Sequence, residues 1–252
     1  MASPHADHIV VVLMENHSFS DVIGNPSAPY INSLARSGAL FTRSFAITHP
    51  SEPNYLALFS GSTQGLTDDS CPHTYPGPNL AAALVAAGGT FTGFSESLPQ
   101  AGYRGCQAGP YARKHAPWVN FSSVAARDNQ PFSAFPADPA TLPTLSFVIP
   151  NLNNDMHDGT IAAGDQWLGR HLKPYVTWAR THNSLLVLTW DEDDRSEANR
   201  IPTIITGAQV TAGRYSEPLT HYRLLRTLEF CLGLAPIGAS AQTTPVRDIW
   251  SH

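Results

Sequence analysis

The sequence changes abruptly from apolar to acidic in the stretch Leu185-Leu186-Val187-Leu188-Thr189-Trp190-Asp191-Glu192-Asp193-Asp194. An unbroken apolar run of this length is typical of a buried strand in a parallel sheet. Ligands of open α/β sheets collect beyond the carboxyl ends of the strands, so the four carboxylates are expected in a site. Carboxylates crowded together there repel one another unless a cation neutralises them. The stretch therefore predicts a divalent metal site, with a solvated acidic loop as the alternative.

The N-terminal part of the chain repeats this arrangement. A second apolar run, His8-Ile9-Val10-Val11-Val12-Leu13-Met14, is followed directly by Glu15 and Asn16. Oxygen ligands from Glu, Asn and Asp suit a hard or borderline divalent ion, and the sequence offers no cluster of thiolates for a structural zinc site. Two buried strands are thus predicted to deliver oxygen ligands at their carboxyl ends. The identity of the metal stays open among Mg, Mn, Ca, Zn and Fe.

Ser51 stands at the start of a predicted short helix that Gly61 would end. A strand is predicted over residues 39–47, and the segment His49-Pro50-Ser51-Glu52-Pro53 that follows is typical of a helix N-terminus. Ser51 could be the N-cap, which is worth about 1 kcal/mol. It could also be a nucleophile, because free N–H groups at a helix start stabilise an alkoxide and a bound phosphoryl group. No Gly-x-Ser-x-Gly motif surrounds it, which argues against an α/β-hydrolase esterase.

Strand and helix patterns alternate along the rest of the chain. The predicted elements are helices over 29–37, 79–87, 160–180 and 221–233, and strands over 90–94, 145–149 and 201–206. Pro174 is expected to kink or split the third helix. This order predicts an α/β fold in one domain over residues 1–252, with a mostly parallel central sheet and helices on both faces. Residues 62–78 and 98–143 lack a sustained period and are predicted to form lids or binding walls.

Composition bounds the function only loosely. The chain has 252 residues, 42% of them apolar, which fits one domain with a sizeable core. The net charge of −5 and the scattered 15 Lys and Arg residues argue against a nucleic-acid partner. No apolar run approaches the roughly 18 residues of a membrane span. The segment 1–4 also lacks the pattern of a signal peptide, and the oligomeric state stays open.

The three cysteines favour an oxidising compartment. Cys71 and Cys106 both fall in polar loops and could pair, whereas Cys231 lies on the apolar face of a helix and reads as a core residue. A disulfide stabilises proteins outside cells and is rare inside them. The cysteines thus lean weakly toward a secreted or periplasmic protein, the location that the resemblance described next implies.

Five segments together carry a resemblance to a known family. They are Met14-Glu15-Asn16-His17-Ser18-Phe19, His49-Pro50-Ser51-Glu52-Pro53-Asn54-Tyr55, Lys114-His115 followed by Pro117, Asp155-Met156-His157-Asp158, and Trp190-Asp191-Glu192. In this order they resemble the phosphoesterase family of bacterial and fungal acid phosphatases and phospholipases C, within the alkaline phosphatase superfamily. The similarity extends from His8 to about Leu234.

The resemblance implies an alkaline-phosphatase-like fold and a metal-dependent phosphoesterase acting on a small phosphorylated substrate. The implied metal ligands are Glu15, Asn16, Ser51, Asp191 and Glu192. Ser51 would also be the nucleophile and pass through a phosphoserine intermediate, while His115 and His157 would lie close to the phosphate. Glu192 departs from the second Asp of related acid phosphatases, which leaves the metal preference open. Phosphomonoesters are favoured over phospholipase C-type diesters because the chain lacks a basic amphipathic helix and a lipid-binding domain.

Several alternatives stay open from the residues alone. A sulfatase of the same superfamily would need Cys/Ser-x-Pro-x-Arg, and Ser51-Glu52-Pro53-Asn54-Tyr55 lacks the Arg. A serine esterase would not need a metal, and a binding protein would hold phosphate or metal without turnover. Lys114 and His115 are either a surface pair or turn inward to bind phosphate oxygens or protonate the leaving group. The residues left between a site role and a structural one are His17, His49, Asp165 and His221.

Overall fold

The computed structural model of the chain describes residues 4–251. Met1–Ser3 and His252 lie outside them, so most of the segment 1–4 and the outer ends of the predicted domain are not described. Within residues 4–251 the strands are β1 (His8–Met14), β2 (Ala39–Phe41), β3 (Ser44–Phe45), β4 (Phe91–Ser95), β5 (Gln107–Ala108), β6 (Tyr111–Ala112), β7 (Asn129–Pro131), β8 (Leu145–Ile149), β9 (Ser184–Trp190), β10 (Thr203–Gly207), β11 (Gly213–Tyr215) and β12 (Leu219–Thr220). The α-helices there are α1 (Phe19–Val22), α2 (Pro29–Ser37), α3 (Ser51–Ser60), α4 (Leu80–Ala86), α5 (Ile161–His171), α6 (Lys173–Ala179) and α7 (His221–Leu232). Short 3-10 helices cover Arg113–His115, Pro117–Asn120, Ala126–Asp128, Phe132–Ala134, Pro139–Thr141 and Gly238–Gln242.

The main sheet of the described residues has eight strands in the order β11-β2-β10-β9-β1-β8-β4-β7. β10 runs antiparallel to both of its neighbours, and the other pairings in this sheet are parallel. The predicted mostly parallel sheet is therefore confirmed. β1 and β9 pair in parallel from His8–Ser184 to Met14–Trp190. Because the last pair is Met14–Trp190, the residues that follow, Glu15 and Asp191, leave the sheet side by side.

The side chains of β1 alternate between two hydrophobic cores. Ile9, Val11 and Leu13 pack into the core that α3, α4 and α7 cover. Val10, Val12 and Met14 pack into the core that α1, α2, α5 and α6 cover. Burial of each such side chain contributes roughly 1.5–3 kcal/mol. A strand buried on both faces needs no polar alternation, which explains the continuous apolar run and confirms helices on both faces.

Some predicted boundaries differ from the structure for local reasons. The strand predicted over 39–47 is two short strands, β2 and β3, with a turn at Thr42-Arg43 between them. The helix predicted over 160–180 is split into α5 and α6 at Leu172, which confirms the split expected near Pro174. Pro174 occupies the first turn of α6, where its missing N–H costs nothing. Among the described residues, no helix combines the length and the apolar character that crossing a bilayer requires.

The two long segments predicted as lids are joined covalently. Cys71 and Cys106 form a disulfide with a sequence separation of 35 residues. Closing a loop of this length contributes roughly 3–4 kcal/mol in the chain-entropy description of disulfides. Cys231 is free and buried, as predicted for a core residue. The pairing fixes the loop after α3 against the segment that leads to Lys114 and His115.

Asp165, which the sequence left between a site partner and a surface acid, caps a helix. It lies on α5 and is 3% exposed. Its Oδ2 accepts the N–H of Tyr30 at 3.1 Å and its Oδ1 accepts the N–H of Ile31 at 2.8 Å. Both N–H groups belong to the first turn of α2, where Ala28 in the N-cap position has no side-chain acceptor. Asp165 therefore joins α5 to α2.

We expect Asp165→Ala to lower the free energy of unfolding by about 2 kcal/mol, because it leaves one buried and one partly buried N–H group without an acceptor. Urea denaturation followed by circular dichroism measures the change. The matched control is Asp138→Ala, which removes a cap from the exposed 3-10 helix Pro139–Thr141 and should change stability by less than about 0.5 kcal/mol. Equal small effects in the two variants would contradict the assignment.

Candidate active site

Glu15 lies at the centre of a buried polar cluster beyond the carboxyl end of β1. Its side chain has no solvent exposure. Oε2 accepts a hydrogen bond from Ser51 Oγ at 3.0 Å, and Oε1 accepts one from the Tyr55 hydroxyl at 2.5 Å. Its backbone N–H donates to Asp155 O at 2.8 Å. Glu15 therefore connects β1 to α3 and to the loop after β8.

Asp191 lies beside Glu15 at the end of β9 and is also fully buried. Its Oδ1 accepts the backbone N–H of Asn16 at 3.1 Å, which the left-handed conformation of Asn16 (φ +57°) permits. Its Oδ2 is buried with no hydrogen-bond partner among residues 4–251. His221 Nε2 donates to the backbone oxygen of Asp191 at 2.7 Å. Burial lowers the pKa of His221 to about 4, so this histidine is a neutral support for the strand end.

The acidic run 191–194 divides into two functions. Glu192 is 6% exposed, and its Oε2 lies 2.9 Å from His49 Nδ1. The other nitrogen of His49, Nε2, lies 3.1 Å from Asp193 Oδ1. Asp193 accepts the backbone N–H groups of the loop that follows, those of Arg195, Glu197 and Asn199. Asp194 bonds to serine hydroxyls, those of Ser18 and Ser196. Asp193 and Asp194 thus fold the loop, while Asp191 and Glu192 remain beside the buried cluster.

Ser51 is not the N-cap of α3, so the capping alternative for this residue is wrong. The N-cap position is Pro50, which has no side-chain acceptor, and the helix begins at Ser51. The hydroxyl of Ser51 bonds to Glu15 across the site instead of to its own helix. Asn54, one turn later, holds the preceding turn by accepting the N–H groups of Ile47 and Thr48. The helix start thus presents Ser51 to the carboxylates.

His115 is enclosed by the cluster. It is 2% exposed, and its ring stacks on Tyr55 with centroids 5.2 Å apart. Its Nε2 lies 3.1 Å from Glu15 Oε1, and its Nδ1 lies 3.2 Å from Asp155 Oδ2. Burial lowers the pKa of His115 well below its ordinary value, with the Lys114 ammonium adding to the shift. His115 therefore lies against the carboxylates, beneath the accessible surface of the site.

His157 is the more accessible of the two predicted histidines, with 29% of its side chain exposed. Its ring centroid lies 5.8 Å from that of His115, and its Nε2 lies 3.5 Å from Lys114 Nζ. Its Nδ1 lies 2.7 Å from Asp158 Oδ1, which fixes the ring. Lys114 thus turns inward, as one of the two sequence interpretations required. His17 instead pairs locally with Asp21 at 3.4 Å.

The charges of the cluster require compensation. Burial raises the pKa of Glu15 well above its ordinary value, and repulsion from Asp191 and Asp155 adds to it. Burial also raises the pKa of Asp191 and of Asp155 to about 7, and that of Glu192 to about 8. Buried carboxylates of this kind must bind protons or a cation. The oxygen donors and the unpartnered Asp191 Oδ2 fit a divalent cation. Glu15, His115 and His157 also bring one ligand atom each within 4.8 Å of one another.

Two residues that the sequence analysis gave no role lie inside the cluster. Tyr55 follows Ser51 by four residues, so helical periodicity places both on one face of α3 and could have indicated it. Asp155 precedes His157 by two residues and is fully buried. Its Oδ1 accepts the N–H of His157 at 2.8 Å. Asp155 belongs to one of the five segments that carry the family resemblance. Its contact with His115 Nδ1, at 3.2 Å, is what places it in the cluster.

Comparisons with known proteins show relatives named phosphatases and a shared fold. The chain is 56% identical over 252 residues to the phosphatidylinositol-3-phosphatase of Mycobacterium tuberculosis, with 99% of this chain and 84% of that protein covered. It is 34% identical over 251 residues to the phosphate-repressible acid phosphatase of Penicillium chrysogenum, with 92% and 60% covered, and so spans less than two thirds of that relative. A solved structure described as a protein in the alkaline phosphatase superfamily from Vibrio parahaemolyticus aligns with a TM-score of 0.64. Its identity is 13%, over 98% of this chain and 72% of that one, so this likeness shows the fold alone.

The family assignment rests on sequence and covers most of the chain. A family model described as the phosphoesterase family matches residues 25–235, a range that contains Ser51, His115, His157 and the acidic run. The two phosphatase relatives extend the similarity over nearly the whole chain. The chain therefore belongs to the phosphoesterase family and is a phosphoric ester hydrolase with an alkaline-phosphatase-like fold.

Proposed function

We propose that the protein is a metal-dependent phosphomonoesterase in which Ser51 is the nucleophile. The observation that carries the proposal is the 3.0 Å hydrogen bond from Ser51 Oγ to Glu15 within a cluster of buried carboxylates. A serine hydroxyl becomes a nucleophile when an adjacent group accepts its proton and nearby charges stabilise the alkoxide. Glu15 Oε2 is such an acceptor.

The metal would be held by side chains from three parts of the chain, the segments after β1 and β9 and the start of α3. The proposed ligands are Glu15, Asn16, Ser51, Asp191 and Glu192. A bound divalent ion would neutralise the carboxylates and stabilise negative charge on the serine oxygen and the phosphoryl group. The unpartnered Oδ2 of Asp191 supports this set.

The proposed reaction is in-line phosphoryl transfer. Ser51 Oγ attacks phosphorus as the bond to the leaving oxygen breaks, which gives a phosphoserine. His157 is accessible and gives a proton to the leaving alcohol, with Lys114 3.5 Å from its Nε2. His115 is enclosed between Glu15 and Asp155 and orients the carboxylate that accepts the proton of Ser51. Water then hydrolyses the phosphoserine.

A phosphoinositide is the second candidate substrate beside small phosphomonoesters. The mycobacterial relative is named a phosphatidylinositol-3-phosphatase and is 56% identical over 99% of this chain. Phosphatidylinositol 3-phosphate is a phospholipid, but its 3-phosphate is a monoester, so the proposed chemistry is unchanged. A phospholipase C-type diesterase and a non-catalytic phosphate- or metal-binding protein are the alternatives that the assays below distinguish.

We further propose an exported protein, secreted or periplasmic, with one domain over residues 1–252 and no nucleic-acid partner. The disulfide Cys71–Cys106 supports an oxidising compartment. The eight-stranded sheet, which contributes side chains to both cores, supports one domain. The net charge of −5 argues against a polyanionic substrate.

Ser51→Ala should lower kcat for p-nitrophenyl phosphate by at least about three orders of magnitude, because it removes the attacking oxygen. The fold should remain, as judged by circular dichroism and the thermal midpoint. The matched control is Ser60→Ala, at the other end of α3, where the hydroxyl bonds to Leu56 O at 2.8 Å. This control should keep its activity, and a folded Ser51→Ala protein that turns over like the wild type would refute the nucleophile assignment.

Removal of divalent ions by a chelator should abolish activity, and readdition of single ions should restore it. Asp191→Asn should lower the metal affinity by at least about tenfold, since it removes a buried ligand charge. Metal content after dialysis, measured by plasma mass spectrometry, gives the readout. Asp194→Asn is the control from the same acidic run and should bind metal normally. If Asp191→Asn retains wild-type metal affinity, the ligand set is wrong.

The protein should prefer monoesters, with kcat/KM for p-nitrophenyl phosphate at least about tenfold above that for p-nitrophenyl phosphorylcholine. The physical reason is that the donor groups of Lys114 and His157 can bind the two negative charges of a phosphomonoester, whereas a phosphodiester has only one. Phosphate release from a short-chain phosphatidylinositol 3-phosphate, with phosphatidylinositol as the matched diester, tests the lipid in the same assay. A tenfold or greater preference for either diester would overturn the monoesterase proposal.

A further inference from the structure

Asp69 connects two parts of the site that are far apart in sequence. It lies in the loop between α3 and α4, and its side chain is 27% exposed. Its Oδ1 accepts the backbone N–H of Glu52, in the first turn of α3, at 2.9 Å. Its Oδ2 accepts a hydrogen bond from Lys114 Nζ, also at 2.9 Å. One carboxylate therefore holds both the helix start next to Ser51 and a lysine.

The contact with Glu52 determines which hydrogen-bond donors remain available to bind a phosphate. The sequence predicted that the N–H groups at the start of α3 would bind the phosphoryl group. The N–H of Glu52 is already bonded to Asp69, so it is not free for a substrate. The Lys114 ammonium has three donors, and Asp69 accepts only one of them. Lys114 is the better placed phosphate donor.

A lysine needs to be held before it can act in this way. Its ammonium is a point charge on a flexible stem that carries about 2 kcal/mol of rotamer entropy. Here the ammonium lies between Asp69 and His157, 3.5 Å from His157 Nε2, with its side chain 21% exposed. Asp69 is thus the anionic contact that keeps Lys114 beside the accessible histidine.

The backbone on both sides of this ion pair is itself fixed. Cys71 follows Asp69 by two residues and is bonded to Cys106. The carbonyl of Cys106 accepts the N–H of Arg113, the residue before Lys114, at 2.9 Å. Asp69 and Lys114 therefore stand on two segments that the disulfide joins. The disulfide and this hydrogen bond therefore restrain the backbone on both sides of the ion pair.

We propose that Asp69 is a positioning residue that holds the Lys114 ammonium beside His157, where the ammonium binds the phosphate dianion of the substrate. This inference rests on the proposed phosphomonoesterase function. A purely structural role, in which Asp69 only supports the start of α3, is the competing explanation. The two differ because only the positioning role acts through Lys114.

A double-mutant cycle separates the two roles. Asp69→Asn keeps an oxygen to accept the N–H of Glu52 but removes the charge that holds Lys114. Lys114→Met removes the ammonium, and the double variant completes the cycle. Asp68→Asn is the matched control, since the exposed Asp68 bonds only with Ser70 among the described residues. The readouts are KM and kcat for p-nitrophenyl phosphate, the inhibition constant of inorganic phosphate, metal content and the thermal midpoint.

Asp69→Asn should raise KM and the inhibition constant of phosphate by about tenfold, the effect of losing one charge-assisted contact. Metal content should not change. Lys114→Met should raise the inhibition constant of phosphate at least as much. Adding Asp69→Asn to it should not raise that constant further. Asp68→Asn should behave like the wild type.

Three results with the variants would overturn the inference. They are phosphate inhibition in Asp69→Asn equal to that in Asp68→Asn, a lower thermal midpoint with unchanged phosphate inhibition, and fully additive effects in the double variant. An active wild type that phosphate does not inhibit would overturn it as well. A wild type that binds phosphate in calorimetry with this dependence on Asp69 and Lys114, but hydrolyses no ester, would refute the proposed function and leave the positioning role standing.

Discussion

The pairing of two buried carboxylates, Glu15 and Asp191, is the constraint on which the site depends. The parallel register of β1 and β9 ends at Met14–Trp190, so the two acids leave the sheet next to each other without solvent. Negative charge in such surroundings is costly unless donors or cations surround it. The neighbouring groups supply part of that compensation, and the oxygen of Asp191 without a partner among residues 4–251 leaves the rest to a cation. Ser51 and Tyr55 donate to Glu15, the N–H of Asn16 donates to Asp191, and Lys114 faces the same cluster.

The sequence predicted the parts of the site that local pattern determines. Continuous apolar runs mark β1 and β9, and the acids after them could be assigned to one edge of the sheet because parallel strands end together. The role of Ser51 as an N-cap could not be decided locally. Its partner is Glu15, 36 residues earlier in the chain, and that contact exists only after α3 packs against the sheet. Asp69 had no local signal, because a single acid in a polar loop does not reveal what it meets.

Neighbouring acids of the same type also proved to have different functions. Asp191 and Asp193 are two residues apart, but Asp193 accepts three backbone N–H groups of its own loop. Asp191 instead has an oxygen without a partner among residues 4–251. The loop that Asp193 holds contains three residues with positive φ angles, Arg195, Ala198 and Asn199. The sequence shows how many acids this run contains, but it does not show which of their side chains enter the site and which bind the backbone of the loop.

The reversed direction of β10 has a consequence for the acidic loop. Because β10 is antiparallel to β9, the segment between Trp190 and Thr203 returns directly to the neighbouring strand, without a crossover helix. The hydroxyls of Thr189 and Thr203 bond across the two strands at 2.8 Å, which joins both ends of the loop. A loop with both ends fixed in this way, and with its interior bonded to Asp193, is held by the protein's own hydrogen bonds. A cation that met these ligands would lose little affinity to conformational entropy, so its selectivity would depend on the spacing of a rigid cage.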